Sequence, residues 1–198
     1  MGVAPASGVV LHDQTDSCTN TYPSSQNIAT IPSGEERIAD DFSVPPGATW
    51  NVELVSPHGG YSNGLQTAGS FAVIFYADGS GAPGAPVAGC SYATASYHKS
   101  GNTFDITLPS ACVLDGGEQG AVYWVSVQAN LFPNPSVDWG WEDRSLQSGN
   151  VSHAEYPGGS DPTCATWQVK QACFGVPVDP DQCFSLSGND TVFRNGFE

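Results

Sequence analysis

The side chains that could do chemistry in this 198-residue chain are four histidines, twenty acidic residues and six cysteines. Histidine is the commonest metal ligand and the usual general base. His12, His58, His98 and His153 lie far apart, in no HxH or HExxH pattern and with no cysteine at ligand spacing, so they are expected in exposed loops and at strand ends. A serine nucleophile would need a Gly-x-Ser-x-Gly elbow, which does not occur. The alternatives are a convergent serine–histidine–carboxylate site, gathered around His58, His98 or His153 by folding, or a glycosidase carboxylate pair. Neither is signalled by any spacing. Calcium takes six to eight oxygens, often from separate loops of a β-sandwich. Asp13, Asp16, Asp179 and Asp181 stand at turns, and Asp40, Asp41 and Asp78 are the candidate calcium ligands.

The most pointed motif is Val137-Asp138-Trp139-Gly140-Trp141-Glu142-Asp143-Arg144. In a strand, Trp139 and Trp141 share one face about 6.6 Å apart. Facing outward, they form an apolar platform edged by charge, suited to stacking sugar rings, with Trp139, Trp141, Asp143 and Arg144 as the ligand-binding residues. Facing inward, they are core anchors and Arg144 pairs with a nearby acid. Gly140 between them implies a close backbone approach or a bulge. Tyr123 and Trp124 belong to the core, and Trp167 is placed to shield a Cys164–Cys173 bridge. A copper centre built on a terminal histidine, as in polysaccharide monooxygenases, is not expected, because His12 is internal and cleavage just before it would strip the first strand.

The elements that must position these groups are strands. Valine outnumbers leucine, aromatics make up 11% of the chain, and 23 glycines and 15 prolines interrupt every stretch that could hold a helical period. The expected fold is all-β: a single β-sandwich of jelly-roll type. Strands are expected over Gly8–Leu11, Ala39–Val44, Trp50–Ser56, Phe71–Tyr76, Phe104–Leu108, Val122–Ala129, Val137–Glu142, Ala165–Val169 and Cys183–Leu186. Phe71–Tyr76 is apolar on both faces, which predicts a central strand covered on both sides. Asn150–Pro162 reads as a long surface loop. The domain is expected to span residues 1–186, followed by a tail over 187–198 whose Phe193 and Phe197 either pack back or are read by a partner.

A net charge of −15 repels phosphate backbones and anionic headgroups, so nucleic acid is not an expected partner. No apolar run is long enough to span a bilayer. Six well-spread cysteines without a Cys-x-x-Cys pair predict three disulfides and an oxidising compartment. Locality favours Cys90–Cys112 and Cys164–Cys173, and Cys18–Cys183 follows by elimination. Met1-Gly2-Val3-Ala4 opens no basic-then-apolar leader, so a secreted, mature chain without its signal peptide is expected.

The order Ala39-Asp40-Asp41-Phe42-x-Val44-Pro45, Trp50, Phe75-Tyr76-Ala77-Asp78, Pro83-Gly84-x-Pro86-Val87, Tyr123-Trp124-Val125-Ser126-Val127 and Trp139-Gly140-Trp141 resembles uncharacterised modules of secreted bacterial proteins. Such modules occur alone or beside peptidase and adhesin domains, and the resemblance runs from the first strand to Leu186. The closing Phe193-Arg194-Asn195-Gly196-Phe197-Glu198 is similar to short tails that end many secreted bacterial proteins, which implies sorting. The expected function is a non-catalytic extracellular binding or adhesion module for a polysaccharide or another cell-surface component, stabilised by Ca2+. A secreted hydrolase with a convergent site and a structural subunit of a surface or fibre assembly are the alternatives.

Overall fold

The computed structural model describes residues 8–28, 35–62, 67–132, 138–159, 162–175 and 177–192. Ten strands follow one another across a single curled sheet: β1 (Val9–Asp13), β15 (Phe184–Val192), β4 (Ala48–Pro57), β8 (Thr103–Asp115), β7 (Pro83–Ser100), β6 (Ser70–Asp78), β9 (Ala121–Leu131), β3 (Arg37–Val44), β12 (His153–Glu155) and β13 (Gln168–Val169). These neighbours pair antiparallel, and β2 (Gln26–Ile28) joins β9 in parallel. The sheet turns over along β7. Its first part pairs with β6, and its end, Ser96–Ser100, pairs with β8. The two halves thereby form the layers of a sandwich. Alternating residues fill the space between them, including Phe42, Trp50, Phe71, Phe75, Phe104, Ile106, Val125 and Leu186.

β7 is not among the expected strands, since Ala77–Gly81 followed by Pro83-Gly84 reads as a turn and its further glycines and prolines break a regular ladder. The strand survives because its register against β6 slips three times, between Phe71 and Val73, Ile74 and Tyr76, and Tyr76 and Asp78. Bulges of this kind tolerate residues that a regular ladder rejects. β6 is covered along its inner side and, on its outer side, fully only at Tyr76, while Ala72 and Ile74 stay half-buried. Phe71, Val73 and Phe75 face the main core, while Tyr76 packs on the opposite side with Ala39 and Trp124. Trp167 closes that second face, its ring 5.6 Å from Tyr76, so it caps the sheet instead of shielding the bridge expected for it.

The three disulfides are Cys18–Cys183, Cys90–Cys112 and Cys164–Cys173, the pairs that locality and elimination select. Cys18–Cys183 joins positions 165 residues apart and constrains the unfolded chain most, by the loop-entropy argument. Three boundaries differ from expectation. Asn150–Pro162 contains β12, whose residues are buried where it continues the sheet beside β3. Ala165–Val169 is split between a 3-10 turn over Pro162–Ala165 and β13, and α1 (Lys170–Phe174) follows. β15 runs on to Val192, so residues 187–192 belong to the sheet, and Phe193 and Phe197 lie outside the described residues.

A polar seam is buried where the chain between β11 (Asp143–Arg144) and β14 (Asp181–Gln182) folds over the sheet. Lys170 Nζ donates to Asp143 Oδ1 at 2.6 Å, with both groups out of water. Asp143 also accepts from Gln182 Nε2 at 2.7 Å and from the Asp179 amide at 3.1 Å. Asp40 accepts from Gln14 Nε2 and the Gln182 amide, both at 2.7 Å. Arg144 bonds Asp16 Oδ1 through Nε at 2.9 Å and reaches Asp181 at 3.4 Å. Removing one member of a buried pair strands the other's charge without water. Lys170→Met is expected to destabilise the protein by about 3–5 kcal/mol, measured by urea unfolding. A loss below about 1 kcal/mol, the range of an exposed pair, would show that the seam is solvated.

Candidate functional site

The candidate site is a cleft built around a short ribbon, β5 (Gly59–Tyr61) paired with β10 (Trp139–Trp141), in the register Trp139↔Tyr61, Gly140↔Gly60 and Trp141↔Gly59. Alternation sends Trp139 and Trp141 to the core side, where both are 0% exposed. Trp139 sits edge-on to Phe71 at 5.0 Å and to Phe104 at 5.7 Å. Trp141 packs on Phe184 at 5.6 Å and donates its indole N–H to the Cys183 carbonyl at 2.9 Å. On the opposite side of the ribbon stand only Gly60 and Gly140. A Cβ on Gly140 would lie 2.3 Å from the Tyr22 carbonyl oxygen, and one on Gly60 would lie 3.5 Å from the Tyr22 ring. The glycine pair therefore admits Tyr22, backbone and ring, onto the ribbon. This is the close approach that Gly140 predicts.

The cleft encloses about 470 Å³, within the range of small-ligand sites. Gly59, Gly60 and Gly140 line its base, and Tyr22 and Tyr61 supply aromatic surface. The turn between β7 and β8 contributes Lys99 and Asn102, and Ser62, Thr67 and Asp138 complete the rim. The polar groups are partly pre-positioned. Asn102 Nδ2 donates to the Tyr22 hydroxyl at 3.1 Å, the Asp138 amide donates to Ser62 Oγ at 3.0 Å, and Gln26 Nε2 donates to Asp138 Oδ1 at 2.8 Å. The Tyr61 hydroxyl accepts from the Ala68 amide at 2.8 Å, and burial pushes its phenol pKa up, keeping it protonated. Asp138 is the one carboxylate among its described lining residues.

The residues selected from sequence are distributed otherwise. The outward tryptophan platform is corrected: Trp139 and Trp141 are core anchors, because the opposite side of their strand is taken by Tyr22. Asp143 and Arg144 are buried in the polar seam, and Arg144 pairs with acids as the inward alternative requires. The three candidate calcium ligands do not converge on one point among the described residues, although Asp78 lies near enough to Asp41 to help raise its pKa. Asp40 and Asp41 are successive in β3 and point to opposite faces; Asp40 is held by Gln14 and Gln182, and Asp41 accepts from Asn150. Asp78 accepts from the Ser80 and Gly81 amides and from Trp124 Nε1.

Two histidines leave the expected exposed positions. His153 is buried edge-on to Trp124 at 5.1 Å, and His12 packs on Phe184 at 5.2 Å. Cys18, His58 and Glu142 converge among the described residues, but the Cys18 sulfur is held in its disulfide with Cys183 and is no thiolate ligand. Sequence reasoning missed Tyr22, Tyr61, Asn102 and Lys99. Their only sequence signal was the glycine between two tryptophans.

A sandwich braced by disulfides, with an open tyrosine-walled cleft at one corner, defines the class of this protein. Residues 26–187 match the family described as a domain of unknown function, DUF7901, and the chain belongs to that family. Comparison with curated proteins and with solved structures returns no match. Three disulfides are compatible with an extracellular location, and no helix among the described residues is long and apolar enough to cross a membrane.

Burial raises the pKa of Glu36 to about 7 and those of Asp143 and Asp181 to about 6, and it also raises Asp40, Asp41 and Glu155. A carboxyl with a raised folded-state pKa binds protons that the unfolded chain, titrating near 4, has released. Its contribution is complete below about pH 4 and is lost as pH climbs through 6 to 7. Burial lowers His12 and His153, which act in the opposite sense below about pH 6.5. The carboxyls outnumber them, and protonation also relieves a net charge of −15. The melting temperature is expected to be higher at pH 5.5 than at pH 7.5 at constant ionic strength. A fall on acidification would show that the histidines dominate.

Proposed function

We propose that this chain is a non-catalytic binding module of an exported bacterial protein, a sandwich of jelly-roll type that holds a saccharide in the cleft between Tyr22, Tyr61 and the β7–β8 turn. The observation that carries this reading is the glycine pair Gly60 and Gly140, over which Tyr22 lies beside a volume of about 470 Å³. A sugar ring offers an apolar C–H face to an aromatic side chain and a fringe of hydroxyls to fixed polar groups. The cleft has both, with Asn102, Ser62 and Asp138 anchored by hydrogen bonds before any ligand arrives. Pre-positioning lowers the ordering cost of binding. Titration calorimetry against oligosaccharides, neutral and acidic, is expected to find a ligand. Tyr22→Ala is then expected to weaken it tenfold or more, about 1.4 kcal/mol, with an unchanged circular dichroism spectrum. Binding that survives this variant would place the ligand elsewhere.

A second reading, assembly into a fibre or surface layer, is favoured by β1. It ends the sheet order as an edge strand and exposes Val9 at 58% and Val10 at 63%. Unpaired edges recruit strands of other chains, and a charge on the edge prevents it. If assembly is the function, sedimentation will show concentration-dependent oligomers that Val10→Lys dissolves. A monomer at every concentration would remove this reading.

A further inference from the structure

The basic side chains of this protein are few, and three of the four among the described residues are already engaged. There are five in the whole chain, against twenty acids. Arg37 is paired with Glu35 and Glu155, Arg144 with Asp16 and Asp181, and Lys170 with Asp143. Lys99 is the one cation among the described residues with no carboxylate within ion-pair distance, and it lines the cleft. Its ammonium lies 5.5 Å from the centre of the Phe104 ring and donates to the Gly101 carbonyl at 2.6 Å. An ammonium carries three protons, so two remain for a ligand.

Resting on the saccharide reading above, we infer that the cleft takes an acidic polysaccharide and that Lys99 receives the carboxylate of a uronic acid unit. With a surplus of acids on the chain, a lysine paired with none of them is set apart from the general charge balance. A charge-assisted hydrogen bond to a carboxylate is about twice as strong as a neutral one. The overall charge of −15 opposes an anionic chain at long range. Screening confines that opposition to about 8 Å at physiological ionic strength, so the nearest group decides. Asp138, on the rim with one oxygen held by Gln26, accepts a sugar hydroxyl and disfavours a carboxylate at its own end. The two charges therefore fix the direction in which the ring lies: carboxylate toward the β7–β8 turn, hydroxyls toward β10.

The test measures the whole protein against oligogalacturonate, its fully methyl-esterified form, alginate oligomers, hyaluronan fragments and neutral cellotetraose, with chelator present to exclude calcium bridging. Expected is binding to at least one uronate. For that ligand, Lys99→Met should weaken affinity at least tenfold without changing the melting temperature. If the ligand is oligogalacturonate, esterification should weaken it to the same degree, and wild-type affinity for any uronate ligand should fall as salt rises. If neutral and acidic saccharides bind alike, or only neutral ones bind, and Lys99→Met changes nothing, the acidic-ligand inference is overturned while the saccharide reading stands. If no saccharide of either kind binds, both fall.

Discussion

The contact between the Trp139 indole and Gly59 is the constraint on which this corner of the molecule depends. A Cβ on Gly59 would lie 2.5 Å from Trp139 Cζ2, so the strand carrying the indole can approach β5 only because that position has no side chain. Once Trp139 is seated against Phe71 and Phe104, alternation turns Gly140 to the other side, and the segment containing Tyr22 closes onto it. The Ser25 amide bonds the Trp139 carbonyl and the Trp141 amide bonds the Pro23 carbonyl, which locks that segment along β10. The core and the cleft are thus both built on one three-residue strand. A packing change beneath the indoles would be felt in the cleft, since a well-packed interior transmits strain.

The polar seam solves a different problem. Tyr76, Trp124 and Ala39 make the outer face of β6, β9 and β3 apolar, and it has to be covered. The covering chain, from β11 to β14, is rich in polar and turn residues and has few large apolar side chains of its own. It is anchored on that face by Trp167 on Tyr76 and by Asn150 on Asp41, and at its two ends by buried hydrogen bonds to Asp143, Asp181 and, on the inner side of β3, Asp40. Desolvation lifts the pKa of these acids in spite of Lys170 and Arg144 beside them. Buried pairs of this kind add little net stability over apolar packing. What they do here is fix which loop lies where, because each donor fits one acceptor. None of the seam's acids is among the described residues that line the cleft.

The surplus of acids gives the few cations separate roles. Arg37 joins β3 to β12, while Arg144 and Lys170 hold the cover in place. Lys99 is near the tip of the β7–β8 hairpin, one residue from the Gly101-Asn102 turn, and forms no ion pair with a carboxylate among the described residues.

The sequence by itself determined the class of fold, the central position of β6, the local bridges Cys90–Cys112 and Cys164–Cys173 and the fact that Trp139 and Trp141 act together. These follow from local chemistry: β-branched and aromatic alternation, glycine and proline punctuation, and cysteines whose neighbours in the chain are also neighbours in space. Tertiary structure decided which way the tryptophans face. Period-two alternation says that two residues share a side but not which side is covered, and the cover came from Tyr22, more than a hundred residues earlier. It also decided β7, whose prolines and glycines look like a loop until the bulges against β6 accommodate them. The buried seam and the cleft were equally out of reach. Asp40 meets Gln182 across 142 positions and Asn102 meets Tyr22 across 80. Polar residues that far apart read as solvated surface until the fold removes the water between them.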